Sequence, residues 1–359
     1  MSFNFYLFRG LRLLLFPLSM LAGIYITLRN YFYDRGWLRS ATFNLPLICV
    51  GNLSVGGTGK SPMTEYLLRL LSPRFQVAVL SRGYKRKTTG YLLADASTTA
   101  LEIGDEPMQF HKKFPVVAIA VGEERLQAIP QLLHDRPGTQ VIVLDDAFQH
   151  RRIRAGLNIL LTAYANPYWQ DHYLPTGDLR DNPGSASRAQ IIIVTKCPPD
   201  LNEHKRDTYI RSIGPLPHQQ VYFTTIQYGE PYHLRSKMEF KLHQGLEVLL
   251  VCGIADPLPL KKHLEENVGA YFEKNFDDHH IFSIDDWKDI VEKYESMDAP
   301  QKIILTTEKD AVRLEKFGEL LGEVPLFVLP IRHRFLFGGE SGFDRSLTNF
   351  VSSFSHSSL

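Results

Sequence analysis

The stretch that most constrains this chain is Gly51–Pro62, GNLSVGGTGKSP, set between an apolar run and a segment of helical periodicity. Leu45–Val50, LPLICV, is short and apolar and ends at a glycine, which reads as a strand buried on both faces. Ser61–Leu71 brings Met63, Tyr66, Leu67 and Leu70 to one helical face. A glycine-rich turn between such a strand and such a helix aims successive backbone N–H groups, with the helix dipole behind them, at a bound phosphate. Gly56, Gly57 and Gly59 remove the Cβ atoms that would block close approach. Lys60 is placed to reach the β- and γ-phosphates, and the Ser61 hydroxyl to ligate Mg2+. Against the pattern G-x-x-x-x-G-K-[ST] the chain departs once, Ser54 standing where the first glycine belongs. The strand–loop–helix context still supports a phosphate loop, with Ser54, Val55, Gly56, Gly57, Thr58, Gly59, Lys60 and Ser61 as the nucleotide-binding stretch.

The rest of the chain alternates strand and helix signals, the mark of an α/β fold. Strands are expected at Gln76–Leu80, Val116–Val121, Val141–Leu144, Leu157–Thr162 and Ile191–Thr195, with a helix over Glu123–Leu133. These Val, Ile and Leu runs do not alternate with polar residues, so the sheet is expected to be parallel and covered on both faces. A phosphate loop needs a metal-holding acid at the end of a neighbouring strand, and Asp145-Asp146 after Val141–Leu144 supplies two, with the choice between them open. Thr195-Lys196 stands where guanine-specific proteins read the base, but Pro198 replaces the Asp such a loop needs, so ATP is the expected nucleotide. Lys196 either stacks beneath an adenine or is solvated.

The polar stretch Pro199–Pro217 reads as a boundary, and a second set of elements follows it. Strands are expected at Val221–Gln227, Leu246–Cys252, Lys302–Thr306 and Pro325–Pro330, and helices at Leu258–Asn267, Asp286–Ser296 and Glu308–Phe317. The expected division is therefore an amphiphilic segment over 1–40, a phosphate-loop lobe over 41–200, a second α/β lobe over 201–345, and a frayed tail over 346–359.

Charge separates function classes. Lys plus Arg is 40 against 39 for Asp plus Glu, a net of +1, and coating nucleic acid needs a basic surplus this chain lacks. Residues 1–40 alone carry Arg9, Arg12, Arg29, Arg35 and Arg39 against Asp34, so the remainder of the chain is acidic. Leu13–Leu28 runs sixteen residues without a charge, interrupted by Pro17 and Gly23 and short of the ~20 a full span needs. Phe3, Phe5, Tyr6, Phe8, Tyr31, Phe32, Tyr33 and Trp37 flank it, which suits a segment lying at a membrane interface; a helix buried in the core and a single span are the alternatives. Cys49, Cys197 and Cys252 have no metal or disulfide spacing, and reduced, buried thiols are expected.

Polar clusters interrupt the apolar runs: SRGYKRK at Ser81–Lys87, GDEP at Gly104–Pro107, DDAFQHRR at Asp145–Arg152, GDLRD at Gly177–Asp181, DDHH at Asp277–His280 and TTEKD at Thr306–Asp310. Arg82, Arg151 and Arg180 are candidate cations for anionic oxygens, and Asp105, Glu106, Asp145, Asp146 and His279 for metal ligation or proton abstraction. TTEKD reads as a helix start, Thr307 its cap and Glu308 in its first turn.

In this order the clusters resemble the tetraacyldisaccharide 4'-kinase family, the lipid A 4'-kinases of Gram-negative bacteria, from the apolar N-terminus to about Pro330. The resemblance implies a P-loop kinase of two Rossmann-like lobes on the cytoplasmic face of the inner membrane, held to the lipid surface through residues 1–40. It implies transfer of the γ-phosphate of ATP, with Mg2+, to the 4'-hydroxyl of an acylated glucosamine disaccharide 1-phosphate. Carried over, Lys60 and Ser61 match the phosphate loop, Asp105 the base for the sugar hydroxyl, and His279 the histidine that tunes it, with His280 adjacent. Glu106, Asp145 and Asp146 match acidic metal-site positions, and Arg180 an arginine near the phosphates, followed by Asp181 where the family usually has Glu. The competing readings are a membrane-recruited P-loop ATPase switch without a lipid acceptor and a nucleotide-sensing scaffold without turnover.

Overall fold

Unbroken apolar runs become the interior of two sheets in the computed structural model of the chain, which describes residues 12–322 and 324–356. In chain order the strands are β1 (Leu47–Asn52), β2 (Val77–Ser81), β3 (Leu92–Leu93), β4 (Ala118–Val121), β5 (Val141–Asp145), β6 (Leu157–Ala163), β7 (Ile191–Thr195), β8 (Gln220–Tyr228), β9 (Tyr232–His233), β10 (Glu247–Cys252), β11 (Ala270–Asn275), β12 (Lys302–Thr307), β13 (Leu326–Leu329) and β14 (Ile331–Phe335). The helices are α1 (Phe16–Asp34), α2 (Lys60–Leu71), α3 (Ala100–Ile103), α4 (Asp105–Lys113), α5 (Arg125–Asp135), α6 (Glu203–Ile213), α7 (Leu258–Asn267), α8 (Ile284–Glu295), α9 (Glu308–Leu314) and α10 (Glu340–His356).

The larger sheet has nine strands in the order β14-β8-β7-β6-β1-β5-β2-β4-β3. It is parallel from β8 to β4, and only the outermost strands β14 and β3 run antiparallel. β1 lies at its centre between β5 and β6, so the chain leaves β1 at a topological switch point, where the loops at the strand ends splay into a crevice. Successive β1 residues feed opposite cores. Ile48 and Val50 pack with Met63 and Leu67 of α2, while Leu47 and Cys49 pack with Ile129 and Leu132 of α5. The five-stranded sheet, β11-β10-β12-β13-β9, is parallel except for β9 and has its own cores. The mixed α/β class with parallel sheets agrees with the expectation, and all three cysteines are free and buried.

The division at residue 200 is corrected. β8 pairs with β7 in parallel, from Ile191 opposite Gln220, and β14 then covers β8, so the first sheet takes strands from beyond the boundary. The unsatisfied backbone at the β7 edge needs partners, and these segments are the ones that reach it. The polar stretch Pro199–Pro217 contains α6, capped by Asn202, whose side chain accepts from the Lys205 amide at 2.9 Å. α6 buries none of its residues, which is why no apolar period announced it. The frayed tail is likewise corrected over its described part: α10 sends Phe343, Leu347 and Val351 into the first core at i, i+4 and i+8. Residues 357–359 lie outside the described residues, as do Phe3, Phe5, Tyr6, Phe8 and Arg9.

α1 is turned inside out relative to a soluble helix. Its buried residues are Ser19, Gly23 and Asn30, while Leu18, Met20, Leu21, Ile24, Tyr25 and Leu28 are exposed. The polar face is held to the first lobe. Ser19 donates to Thr176 Oγ1 at 2.7 Å, Asn30 donates to Asp181 Oδ1 at 2.7 Å, and the Arg12 side chain grips the Pro175 and Gly177 carbonyls. Gly23 lets Tyr173 approach, since a Cβ there would come within 2.6 Å of the ring. The core-helix alternative therefore fails, because only 17% of the apolar window is buried.

Candidate active site

The phosphate loop hangs between β1 and α2, and each turn of it has a partner. Gly56 and Gly59 take φ of +98° and +83°, a region that costs an L-residue about 1–2 kcal/mol. Asn52 Nδ2 donates to Thr58 Oγ1 at 2.8 Å, and Thr195 Oγ1 donates to the Thr58 carbonyl at 2.9 Å. His333 on β14 contacts the Gly59 carbonyl through Nε2 at 2.9 Å, so Nε2 is the protonated nitrogen. On the other flank the Val55 amide donates to Asp178 O and the Arg180 amide to Leu53 O, both at 2.8 Å. These bonds fix the loop's base and leave Val55, Gly56 and Gly57 exposed at its crown. The exposed Lys196 ammonium lies 3.8 Å from the Cβ position at Gly57, beside the loop.

Lys60 begins α2, and its ammonium lies 3.9 Å from Asp146 Oδ1. Arg180 joins the same carboxylate, with NH1 3.1 Å from Oδ2 and NH2 on Oδ1, and NH2 also reaches Asn52 Oδ1. Burial pushes the Asp146 carboxyl up, but Lys60 and Arg180 outweigh it and hold it below the ordinary carboxylate range. Asp145 is the buried member of the pair and accepts from Ser81 Oγ at 3.0 Å and Thr64 Oγ1 at 3.2 Å. Burial first, then the charges of Asp146 and Glu106, push its carboxyl up to about 6. Burial also lowers the Lys60 pKa against the pull of Asp146.

Among the described residues no three His, Cys, Asp or Glu side chains form a ready-made metal cage. The donor chemistry nonetheless fits Mg2+. That ion is held by one or two carboxylates completed by phosphate oxygens and water, and the nearby charges of Asp146 and Glu106, which with burial push the Asp145 carboxyl up, are what a divalent cation offsets.

The opposite wall comes from both lobes. Asp105 is the first residue of α4, and Gly104 before it, at φ +91°, packs so closely that a Cβ would lie 3.1 Å from the Tyr84 carbonyl. Asp105 Oδ2 meets His279 Nδ1 at 2.9 Å and accepts from Arg313 Nε at 2.9 Å. All of these bonds fall on Oδ2, which leaves Oδ1 for another donor. Burial raises the Asp105 pKa, but His279 and Arg313 overcome it and the carboxyl stays below its usual value. His279 sits in the connection from β11 to α8 at φ +63°. Its neighbour His280 turns the other way, Nε2 2.9 Å from Asp286 Oδ2 and its ring stacked on Phe276. The geometry thus separates the two histidines and brings His279 to Asp105. Glu106 Oε1 lies 3.5 Å from Lys309 Nζ, and its charge is felt by both Lys60 and Asp145, which joins this wall to the phosphate side.

Sequence reading missed Lys309, Arg313 and His333. TTEKD does form the start of α9, with Thr307 accepting from the Asp310 amide at 3.2 Å. The overlooked signal was the i, i+4 spacing of Lys309 and Arg313, which puts two cations on one helix face. Two other candidates stand apart. Arg82 is exposed, and Arg151 is committed to α1, bonding Asp34 Oδ1 at 2.6 Å and the Asn30 carbonyl at 2.9 Å. Asp181 is buried, and it accepts from Asn30 and Arg188 rather than facing the phosphate loop.

A glycine-rich turn between a central strand and a helix, with Lys60 at the helix start beside the Asp145-Asp146 pair that ends β5, defines the P-loop nucleotide-binding class. The sequence model of the tetraacyldisaccharide-1-P 4'-kinase family matches residues 11–352, and the chain belongs to that family. It is 42% identical over 351 residues to a tetraacyldisaccharide 4'-kinase of Bacteroides thetaiotaomicron, covering 94% of this chain and 92% of that one. It is 44% identical over 342 residues to the Flavobacterium johnsoniae protein of the same name, covering 95% and 97%. Among solved structures it resembles LpxK from Aquifex aeolicus in complex with ATP, with a TM-score of 0.72, 26% identity, and coverage of 95% of this chain and 99% of the other.

Proposed function

We propose that this kinase transfers the γ-phosphate of ATP to the 4'-hydroxyl of tetraacyldisaccharide 1-phosphate, with Asp105 as the group that takes the hydroxyl proton. The product is the 1,4'-bisphosphorylated lipid A precursor, lipid IVA. The observation that carries the assignment is the meeting of Asp105 with His279 and Arg313, which reach it from the other lobe. In this reading the hydroxyl donates to Asp105 Oδ1 while its oxygen bonds to the γ-phosphorus and the β–γ bridging oxygen leaves with ADP. The proton stays on the Asp105 carboxyl, with His279 and Arg313 holding the other oxygen in place. The backbone of Gly56–Lys60 and the Lys60 ammonium hold the phosphates, and Arg180 neutralises charge beside them. Ser61, Asp145, Asp146 and Glu106 are the residues that would hold Mg2+, which supplies charge neutralisation on the phosphate oxygens when bound.

The apolar outer face of α1 and the Arg residues around it support a seat on an anionic bilayer at the cytoplasmic face of the inner membrane, where an acylated glucosamine disaccharide and ATP meet. The test is transfer of label from γ-labelled ATP to tetraacyldisaccharide 1-phosphate in mixed micelles, wild type beside Asp105→Ala. Labelled lipid from wild type and a loss of about 10²–10⁴ in kcat in the variant are expected. Equal labelling by the variant overturns the role of Asp105. Free phosphate without labelled lipid overturns the acceptor in favour of an ATPase switch.

A further inference from the structure

We infer that Lys309 is a positioning residue that sets the tautomer of His279 and so the aim of the Asp105 carboxylate. The inference rests on the functional reading above and names a part of the site that reading leaves unexplained. Lys309 Nζ lies 2.9 Å from His279 Nε2, 3.1 Å from Asp278 Oδ1 and 3.5 Å from Glu106 Oε1. An ammonium only donates, so Nε2 must present its lone pair to Lys309. The single ring proton of the neutral imidazole then sits on Nδ1, where it is donated to Asp105 Oδ2 at 2.9 Å.

The surroundings show what Lys309 prevents. The other groups at the His279 ring are Asp105 on the Nδ1 side, Asp278, whose Oδ2 is 3.8 Å from Nε2, and the Tyr84 ring, centroid to centroid 5.4 Å. With Lys309 removed, Asp278 becomes the natural acceptor for a proton on Nε2. That tautomer turns the Nδ1 lone pair against Asp105 Oδ2, two acceptors face to face, and the carboxylate loses one of the bonds that hold it. Lys309 therefore does two things at one point, donating to Nε2 and neutralising the carboxylate that would compete for it. Because Lys309 rides on α9 of the second lobe and also approaches Glu106 on α4 of the first, it does so in the arrangement where the two walls meet.

The test is 15N NMR of the full-length protein labelled at histidine and held in detergent micelles. The His279 signals are assigned by their loss in His279→Gln, and lipid phosphorylation is measured on the same samples. Wild type is expected to show His279 protonated at Nδ1 and bare at Nε2. Lys309→Met should move the proton to Nε2, and lower kcat about 10–100-fold, the scale of loss seen when a partner that orients a histidine is removed. KM for ATP should stay within about twofold, because uniform binding is untouched. Lys309→Arg, which also only donates, should keep the Nδ1–H form and restore most of kcat. Wild-type His279 protonated at Nε2 alone overturns the inference without recourse to any variant. So does a Lys309→Met enzyme that loses kcat with its tautomer unmoved, or a Lys309→Arg enzyme that keeps the tautomer and still fails. If wild type labels no lipid at all, the functional reading fails instead, whatever tautomer is found.

Discussion

Lys113 joins the phosphate-loop helix to the second lobe, and its removal has a calculable consequence. Its ammonium lies 2.6 Å from Glu65 Oε2 on α2 and also meets Glu308 on α9, while Glu308 Oε2 accepts from the Ile331 amide at 3.3 Å. Glu65 is fully buried and Glu308 is 7% exposed. Lys113→Met leaves Glu65 with Arg69 at 3.1 Å and Gln109 at 2.7 Å, but strips Glu308 of its cation. Breaking a buried pair from one side costs about 3–5 kcal/mol, and the 23% exposure of Lys113 and the bonds left to Glu65 set the lower end, about 3 kcal/mol. With an unfolding entropy of about 2.1 cal/mol/K per residue, that is a fall of about 4 °C in Tm for a chain of this length.

The pH dependence follows in sign. Burial, then the charge of Glu65, raise the folded pKa of Glu308 above its unfolded value, and losing Lys113 raises it further. The folded variant then binds the proton more readily than the unfolded chain. Its deficit is full well above the folded pKa and shrinks as pH falls toward the unfolded value near about 4.3. Calorimetry across that range should show the deficit closing on acidification, and Lys113→Met/Glu308→Gln should recover most of it at neutral pH. A loss below about 1 kcal/mol, a loss independent of pH, or a double variant no better than the single one would refute the reasoning.

Two further outcomes are expected. On α1, Leu21→Asp on the outer face should weaken binding to anionic vesicles in a flotation assay and leave stability within about 0.5 kcal/mol, whereas Ser19→Leu against Thr176 should cost about 1–3 kcal/mol; the reverse pattern would mean the helix docks by its apolar side. At His333, burial drives the pKa down to about 4, so the unfolded chain takes its proton first: stability is present above about pH 6.5 and is lost as pH falls from there toward 4, at up to about 1.4 kcal/mol per pH unit. His333→Gln should flatten part of that limb in urea denaturation, and an unchanged slope would count against a buried neutral imidazole under the phosphate loop.

The site was legible in uneven measure. The strand–turn–helix over Gly51–Ser61 and the strand that ends at Asp145-Asp146 could be read because each pattern is local, its apolar run and its polar end adjacent in the chain. Asp105 and His279 could be named from the family resemblance, but their contact spans 174 positions and no spacing rule foretells it. Lys309 and Arg313 were hidden behind a correct reading of the same segment, since the signals that start a helix say nothing of what its next turn touches. The boundary at residue 200 failed for the same reason: the partner of β7 is found by sheet geometry, not by proximity along the chain.

The sequence by itself determined that this would be an α/β protein with a phosphate loop, because unbroken Val, Ile and Leu runs must be buried on both faces and a GGTGKS turn between strand and helix has few other uses. It also determined that residues 13–28 would be apolar and basic-flanked. Only the tertiary structure decided which side of that helix faces the protein. Hydropathy counts apolar residues without regard to direction, while Asp181, Thr176 and Tyr173, more than 140 positions away, supply the hydrogen bonds and the close approach that draw Ser19, Asn30 and Gly23 inward. The surroundings of Asp105 were decided in the same way, when the second lobe placed His279 and Arg313 on its carboxylate and Lys309 behind His279.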